Sequence, residues 1–181
     1  MKTSFLVYLV VFHFTLNALA KEKCISPEQA QMPPNEAIPI AKTKYSIGIC
    51  YLAEVVKKGL FEGEHKDLIF LKRDAVLVAE ARTKMNITVG RISDLTLEKT
   101  TTRFISLSYG AGEFCNGLVI FDTKLKKVSF QNSCESPSDI CHVMDLNEAK
   151  CLAKIECKDR GVEGAPPTRK TPIIKNIKLC S

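Results

Sequence analysis

The strongest indication of fold is a set of three apolar runs that predict β-strands. They are Ile105-Ser-Leu-Ser-Tyr109, Leu118-Val-Ile-Phe121 and Val128-Ser-Phe130. In the first run apolar residues recur at every second position, a spacing that places them on one face of a β-strand. The other two runs flank Asp122-Thr-Lys-Leu-Lys-Lys127, which predicts a hairpin with a basic tip. Strands this close in sequence pair antiparallel, because parallel pairs need long crossover connections.

Further strand signals lie on both sides of this region. Residues 86–89 and 95–97 alternate in character, and Leu68-Ile-Phe-Leu71 is a short apolar run typical of a buried strand. Residues 75–81 fit a strand and a helix equally well. The glycine-rich segment 109–117 predicts a turn between two strands, pinned by the cysteine within it.

Two segments have the spacing of helices instead. In residues 46–58 apolar side chains recur three or four positions apart, and Gly59 can cap the end. The second segment begins at Asp145, a good N-cap with Glu148 three residues later, and ends at Gly161. Helices and strands together predict an α+β fold: one small disulfide-rich domain in which two or three helices accompany an antiparallel sheet.

The first twenty residues predict a secretory signal peptide. A single basic residue, Lys2, precedes an apolar run from Phe5 to Leu16, and small residues surround a cleavage site after Ala20. The run is too short to span a bilayer, which needs about 20 residues. We therefore expect residues 1–20 to be removed and residues 21–181 to form one secreted, extracellular domain with no membrane span.

The cysteines predict a disulfide framework. All eight follow the expected cleavage site, and an even number in a secreted chain indicates complete pairing, although spacing does not choose among the pairings. No Cys-x-x-Cys pair occurs, which argues against a zinc site, and we expect neither a metal nor a cofactor. The proline-rich arm, residues 21–39, should be irregular and clipped to the body by its cysteine. The cysteines are Cys24, Cys50, Cys115, Cys134, Cys141, Cys151, Cys157 and Cys180.

Asn86-Ile87-Thr88 is an N-glycosylation sequon. In a secreted chain it predicts a surface position and a glycoprotein if the site is occupied. Treating the secreted protein with a glycosidase and finding no change in mass would reject it.

Basic residues form two clusters that could bind a partner. Without Lys2 the 26 basic residues become 25 against 20 acidic ones, a net charge of +5. If the two clusters project to one side, they form a cationic patch able to attract an acidic protein surface. Nucleic acid is not an expected partner, because export removes the chain from it and no basic helix is present. The clustered residues are Lys124, Lys126 and Lys127 at the hairpin tip, and Arg169, Lys170, Lys175 and Lys178 near the C-terminus.

No catalytic motif is present. His65 and His142 are the histidines after the signal that could act as a general base near neutral pH. Neither has a recognisable nucleophile in sequence, and oxidised cysteines offer no thiolate.

We therefore expect a secreted, non-enzymatic, monomeric effector, such as a venom or salivary toxin acting on an ion channel, protease or receptor. A carrier of small hydrophobic ligands is one alternative, since alternating strands can line a cavity. A secreted hydrolase using His65 or His142 is the other.

Overall fold

A computed structural model describes residues 24–30, 32, 37–52, 64–86, 90–111, 115–132, 139–161 and 166–180. The expected signal peptide lies outside these residues. Within them the chain is almost entirely β-structure, with one helical turn. The elements are α1 (Pro27–Ala30), β1 (Ile38–Pro39), β2 (Tyr45–Cys50), β3 (Glu64–Arg73), β4 (Val76–Asn86), β5 (Ile92–Thr100), β6 (Phe104–Ala111), β7 (Asn116–Asp122), β8 (Lys127–Asn132), β9 (Asp139–Asn147), β10 (Leu152–Asp159) and β11 (Ile173–Lys178).

The strands form three antiparallel sheets in which neighbours in space are neighbours in sequence. Sheet I has the order β1-β2-β3-β4, sheet II the order β5-β6-β7-β8, and sheet III the order β11-β10-β9. The alternating run 105–109 lies in β6, and the predicted hairpin is formed by β7 and β8. Both β6–β7 and β7–β8 pair antiparallel, as expected. Residues 75–81, which fit either structure, lie in the turn before β4 and in β4 itself.

Sheet II is buried on both faces. On β7, Val119 and Phe121 pack in one core with side chains of sheet I, such as Leu71. Their neighbours Leu118 and Ile120 pack in a second core with side chains of sheet III. Successive side chains of a strand point to opposite faces, so a strand buried on both faces must read as a continuous apolar run. This explains why β7 lacks the alternation of β6.

The prediction of two or three helices is wrong. Residues 46–50 of the first predicted helix belong to β2, and residues 53–58 lie outside the described part of the chain. Tyr45, Ile47 and Ile49 repeat with period two and share the face that meets the core between sheets I and II. Pairing of β2 with β3 satisfies the backbone along its whole length, and β-branched isoleucine suits that environment.

The second predicted helix is a strand hairpin. Asp145 lies in β9, Glu148 lies in the following turn, and residues 152–159 form β10. Ala153, Ile155 and Cys157 are buried at every second position, which is the period of a strand. The Asp145-x-x-Glu148 spacing that resembles a capping box therefore spans the end of β9 and the following turn. The helical spacing of the apolar residues after it was a coincidence in a short segment.

Disulfide bonds join the elements as the cysteine count predicted. Cys24–Cys50 clips the N-terminal arm to β2, Cys141–Cys157 joins directly opposed residues of β9 and β10, and Cys151–Cys180 holds the C-terminus. Cys115 is also disulfide-bonded, and Cys134, the eighth cysteine, lies outside the described residues. Such bonds fit an extracellular protein. In the described part of the chain no helix is long and apolar enough to cross a membrane.

Candidate functional site

One end of the molecule combines three turns that are far apart in sequence. The β5–β6 turn carries Arg103, whose Nε and Nη2 donate to Asp122 Oδ2 over 2.9 and 2.7 Å at the start of the β7–β8 turn. Its Nη1 lies 3.6 Å from Cys151 Sγ in the β9–β10 turn. Arg103 thus ties the hairpin tip of sheet II to the end of sheet III.

The β7–β8 tip is held in one conformation. Asp122 Oδ1 accepts hydrogen bonds from the backbone N–H groups of Lys124 and Leu125 over 2.9 and 3.0 Å, and Thr123 donates its N–H to the Arg103 carbonyl. Lys126 has φ 53°, the left-handed conformation that closes the turn. Burial of Asp122 by itself would raise its pKa, but the hydrogen bonds from Arg103, Leu125 and Lys124 outweigh burial and lower that pKa. Asp122 is therefore a charged anchor beneath an exposed loop.

The β9–β10 turn is fixed against the same point. Glu148 accepts hydrogen bonds from Thr102 Oγ1 over 2.8 Å and from the Arg103 N–H over 3.3 Å. The hydroxyls of Thr102 and Thr101 are the main reason that the pKa of Glu148 is lowered. Asp122 and Glu148 are therefore both hydrogen-bonded within this end, while the lysines of the same turns are exposed.

We define the cationic end as four exposed lysines: Lys124, Lys126 and Lys150 in these turns, and Lys178 at the end of β11. Lys178 belongs here because it pairs with Leu152 at the start of β10, next to the Cys151–Cys180 disulfide. Between the hairpin lysines lies Leu125, a leucine that is 47% exposed. An exposed apolar residue with polar neighbours has the arrangement of a protein-binding surface, in which a polar rim surrounds an apolar centre.

The sequence clusters are only partly brought together. Lys127, the third hairpin lysine, opens β8 beside the cationic end. Lys175 lies in the middle of β11, whereas Arg169 and Lys170 lie at the far end of sheet III, where Arg169 Nη2 donates to the Cys157 carbonyl. From Leu152 to Cys157 the strand covers five residues, or about 17 Å. The sequence analysis missed Lys150, because its turn was assigned to a helix. It also missed Leu125, because only the charged residues of the hairpin tip were considered as binding residues.

His142 and the groups around it are not arranged as in a serine hydrolase. His142 Nδ1 lies 3.0 Å from Glu98 Oε1, and the same oxygen accepts a 2.6 Å hydrogen bond from Ser108 Oγ. In a serine hydrolase the imidazole lies between hydroxyl and carboxylate, whereas here the carboxylate lies between the other two. The trio links sheet II to sheet III. His65 lies in β3, with its side chain outside the described part, and no metal-binding cluster occurs among the described residues.

A second polar cluster is buried where sheets I and II meet. Arg91 Nη1 lies 2.8 Å from Asp67 Oδ1 and 2.9 Å from the Leu52 carbonyl, and Asp67 is fully buried. Tyr51 donates its hydroxyl to the Ile92 carbonyl over 3.1 Å, which joins the end of β2 to the start of β5. Burial is the main reason that the pKa of Tyr51 is raised. These contacts hold the two sheets together at the end away from the β7–β8 tip.

Two other predicted features are placed as follows. Asn86 is the last residue of β4, and its side chain lies outside the described part, so glycosylation stays a prediction. The glycine-rich segment connects β6 to β7 as expected, with Tyr109 directly opposite Gly117. Apolar side chains of sheets I and II contact one another in one core, and the carrier hypothesis stays a prediction.

Comparison with protein-family models, curated proteins and solved structures found no match for this chain.

Proposed function

We propose that this chain is a secreted, non-enzymatic effector that binds an acidic surface of an extracellular protein, such as a channel, protease or receptor, through its cationic end. The observation that carries the proposal is the position of Arg103, which contacts Asp122 and Cys151 and so unites three turns under exposed lysines. The proposed binding surface is therefore assembled from more than one loop, because Lys124 and Lys150 lie in turns of different sheets.

Rigidity supports binding by this end. The Asp122 hydrogen bonds and the Cys151–Cys180 disulfide order the loops before any partner arrives. A partner then need not order them, and ordering otherwise costs about 0.5–1.5 kcal/mol for each immobilised side chain.

Charge supports an acidic partner. Asp122 is fully buried against Arg103, so its charge is compensated inside the molecule and does not offset the exposed lysines. A surface of one sign speeds association with a surface of the opposite sign, and this effect weakens as salt rises.

The experiment begins with a photo-cross-linking amino acid at position 125 of the secreted protein, followed by identification of the extracellular protein that it captures. Association with that protein is then measured for Lys124→Glu/Lys126→Glu. We expect an association rate at least about tenfold lower than that of the unmodified protein, with the difference shrinking at high salt.

The matched control is Lys66→Glu/Lys170→Glu, which makes the same change in net charge at exposed positions away from the cationic end. It should bind almost normally. Equal loss in both double variants would show that only net charge matters, and a failure to capture any extracellular protein from position 125 would also overturn the proposal.

A further inference from the structure

The tip of the β3–β4 hairpin exposes apolar side chains on both of its faces. Val76 is 68% exposed and Leu77 is 48% exposed, and a β-bulge follows them, because the β3–β4 register shifts between Leu77 and Ala79. Val76 pairs with Arg73 and Leu77 pairs with Lys72 across the hairpin. Successive strand residues point to opposite faces, so each face of the tip carries one aliphatic side chain and one cation.

The tip has a defined shape. Arg73 and Val76 are paired directly across a two-residue turn in which Asp74 has φ 48° and Ala75 has φ 67°. Two positive φ values in succession are those of a type I′ turn, whose twist matches that of the strands. The apolar side chains are therefore presented at the end of a rigid ribbon.

A second turn adds cations beside the first. The N–H of Asp74 donates to the Lys44 carbonyl over 3.1 Å, which places the turn of residues 41–44 next to the hairpin tip. Lys42 and Lys44 are both exposed. The two turns and the strand ends beside them thus contain four basic residues, since Lys72 and Arg73 join these two lysines. The acid in the same segments is Asp74, whose carboxylate lies 3.9 Å from Arg73 Nε.

We propose that this tip, formed by Lys42, Lys44, Lys72, Arg73, Val76 and Leu77, docks on a membrane surface that contains anionic lipids. The lysines and Arg73 would contact the headgroups while Val76 and Leu77 enter the apolar boundary beneath them. If the tip of the hairpin enters the membrane end-on, lipids surround it, and the aliphatic side chains on both of its faces are buried. A protein surface would cover one face and leave the other aliphatic side chain in water.

This surface is separate from the cationic end and the inference does not depend on it. The two surfaces share no residue, because none of the residues of the tip belongs to sheets II or III. Binding to membranes and binding to an acidic protein can therefore be lost independently.

The experiment is co-sedimentation of the full secreted protein with two kinds of vesicle, one of pure phosphatidylcholine and one an equal mixture of phosphatidylcholine and phosphatidylserine. We expect sedimentation with the mixed vesicles, little with the neutral ones, and a decrease as salt rises. Val76→Ser/Leu77→Ser should weaken partitioning about tenfold, because it removes the apolar part of the contact. Lys42→Ala/Lys44→Ala should weaken it and reduce its dependence on salt.

Two single variants at other sites are the controls. Met144 is 45% exposed and lies in β9 of sheet III, so Met144→Ser removes an exposed apolar side chain outside the tip and should bind normally. Leu125→Ser tests the cationic end in the same way. Equal sedimentation with both vesicles, or unchanged binding of the Val76→Ser/Leu77→Ser variant, would overturn the proposal, as would a loss confined to Leu125→Ser.

Discussion

Gly117 and Gly48 each lie under an aromatic ring on the neighbouring strand. Tyr109 of β6 covers Gly117 of β7, and Phe70 of β3 covers Gly48 of β2. A Cβ atom on either glycine would overlap the ring. Glycine is needed at these two positions because the ring occupies the space of a side chain, and neither has a positive φ.

The two glycines should differ in their tolerance of alanine. Tyr109 is 1% exposed and donates its hydroxyl to the Asn132 carbonyl over 3.1 Å, so its ring has no room to move. Gly117→Ala should therefore lower the free energy of unfolding by about 2–3 kcal/mol. Phe70 is half-buried and can turn outward, so Gly48→Ala should cost less than about 1 kcal/mol. Urea denaturation measures both, and equal losses would contradict the role assigned to ring mobility.

The β7–β8 hairpin shows how one side chain organises an element. Asp122 Oδ2 accepts from the guanidinium of Arg103, while Oδ1 accepts from two backbone N–H groups of the turn. The carboxylate is fully buried and Arg103 is 19% exposed, so the pair is only partly screened by solvent. Asp122 thus fixes the shape of the tip and also positions Arg103, which contacts the β9–β10 turn of sheet III.

Two variants of Asp122 separate these contributions. Asp122→Asn keeps an oxygen for the turn but loses the charge, and it should lower the free energy of unfolding by about 2 kcal/mol, less than for a fully buried pair. Asp122→Ala should cost at least about 1 kcal/mol more, because the Lys124 and Leu125 N–H groups lose their acceptor. Urea denaturation at neutral pH measures this difference, and equal losses in both variants would contradict it.

The pH dependence of stability gives a third test of the same side chain. The pKa of Asp122 is lowered in the folded protein. Its stabilisation is therefore complete above the unfolded pKa of about 3.9 and disappears as pH falls through the folded value. In Asp122→Asn this part of the acid sensitivity should vanish, while that due to Glu148, whose pKa is also lowered, should persist. A variant with the full acid sensitivity of the unmodified protein would show that Asp122 is not the group responsible.

At the scale of the whole molecule, sheet II is shared by two cores. Leu107 of β6 packs in the core with sheet I, whereas Leu118 of β7 packs in the core with sheet III, and both are fully buried. Each sheet contributes apolar side chains to a core with sheet II, so neither outer sheet buries its inner face without it. We infer that the three layers unfold together.

Leucine-to-alanine changes on the two sides of sheet II test this cooperativity. Leu107→Ala and Leu118→Ala should each lower the free energy of unfolding by about 3–5 kcal/mol through loss of buried area and formation of a cavity. Both should shift a single calorimetric transition, because sheet II belongs to both cores. A second transition that moves in only one of the variants would show that sheets I and III unfold separately.

Local pattern was enough to find the strands of sheet II, the β7–β8 hairpin and the participation of the cysteines in disulfides. These depend on near neighbours in sequence: alternation within β6, a polar turn at 122–127, and a chemistry of cysteine that needs no knowledge of the fold. The same reasoning failed for β2 and β10. A short apolar segment fits both periods, and the choice is made by a partner strand that satisfies its backbone, which for β2 is β3.

The candidate site also divides in this way. The lysines of the hairpin tip could be identified from the chain alone, because they lie within four residues of one another. Their union with Lys150 and Lys178, and their separation from Arg169 and Lys170, follow from the stacking of sheet III on sheet II and from the contacts of Arg103. Composition and local spacing therefore specify the disulfide chemistry, the strands of sheet II and part of β3. Long-range packing decides which faces and ends come together, since burial is shared among residues distant in sequence.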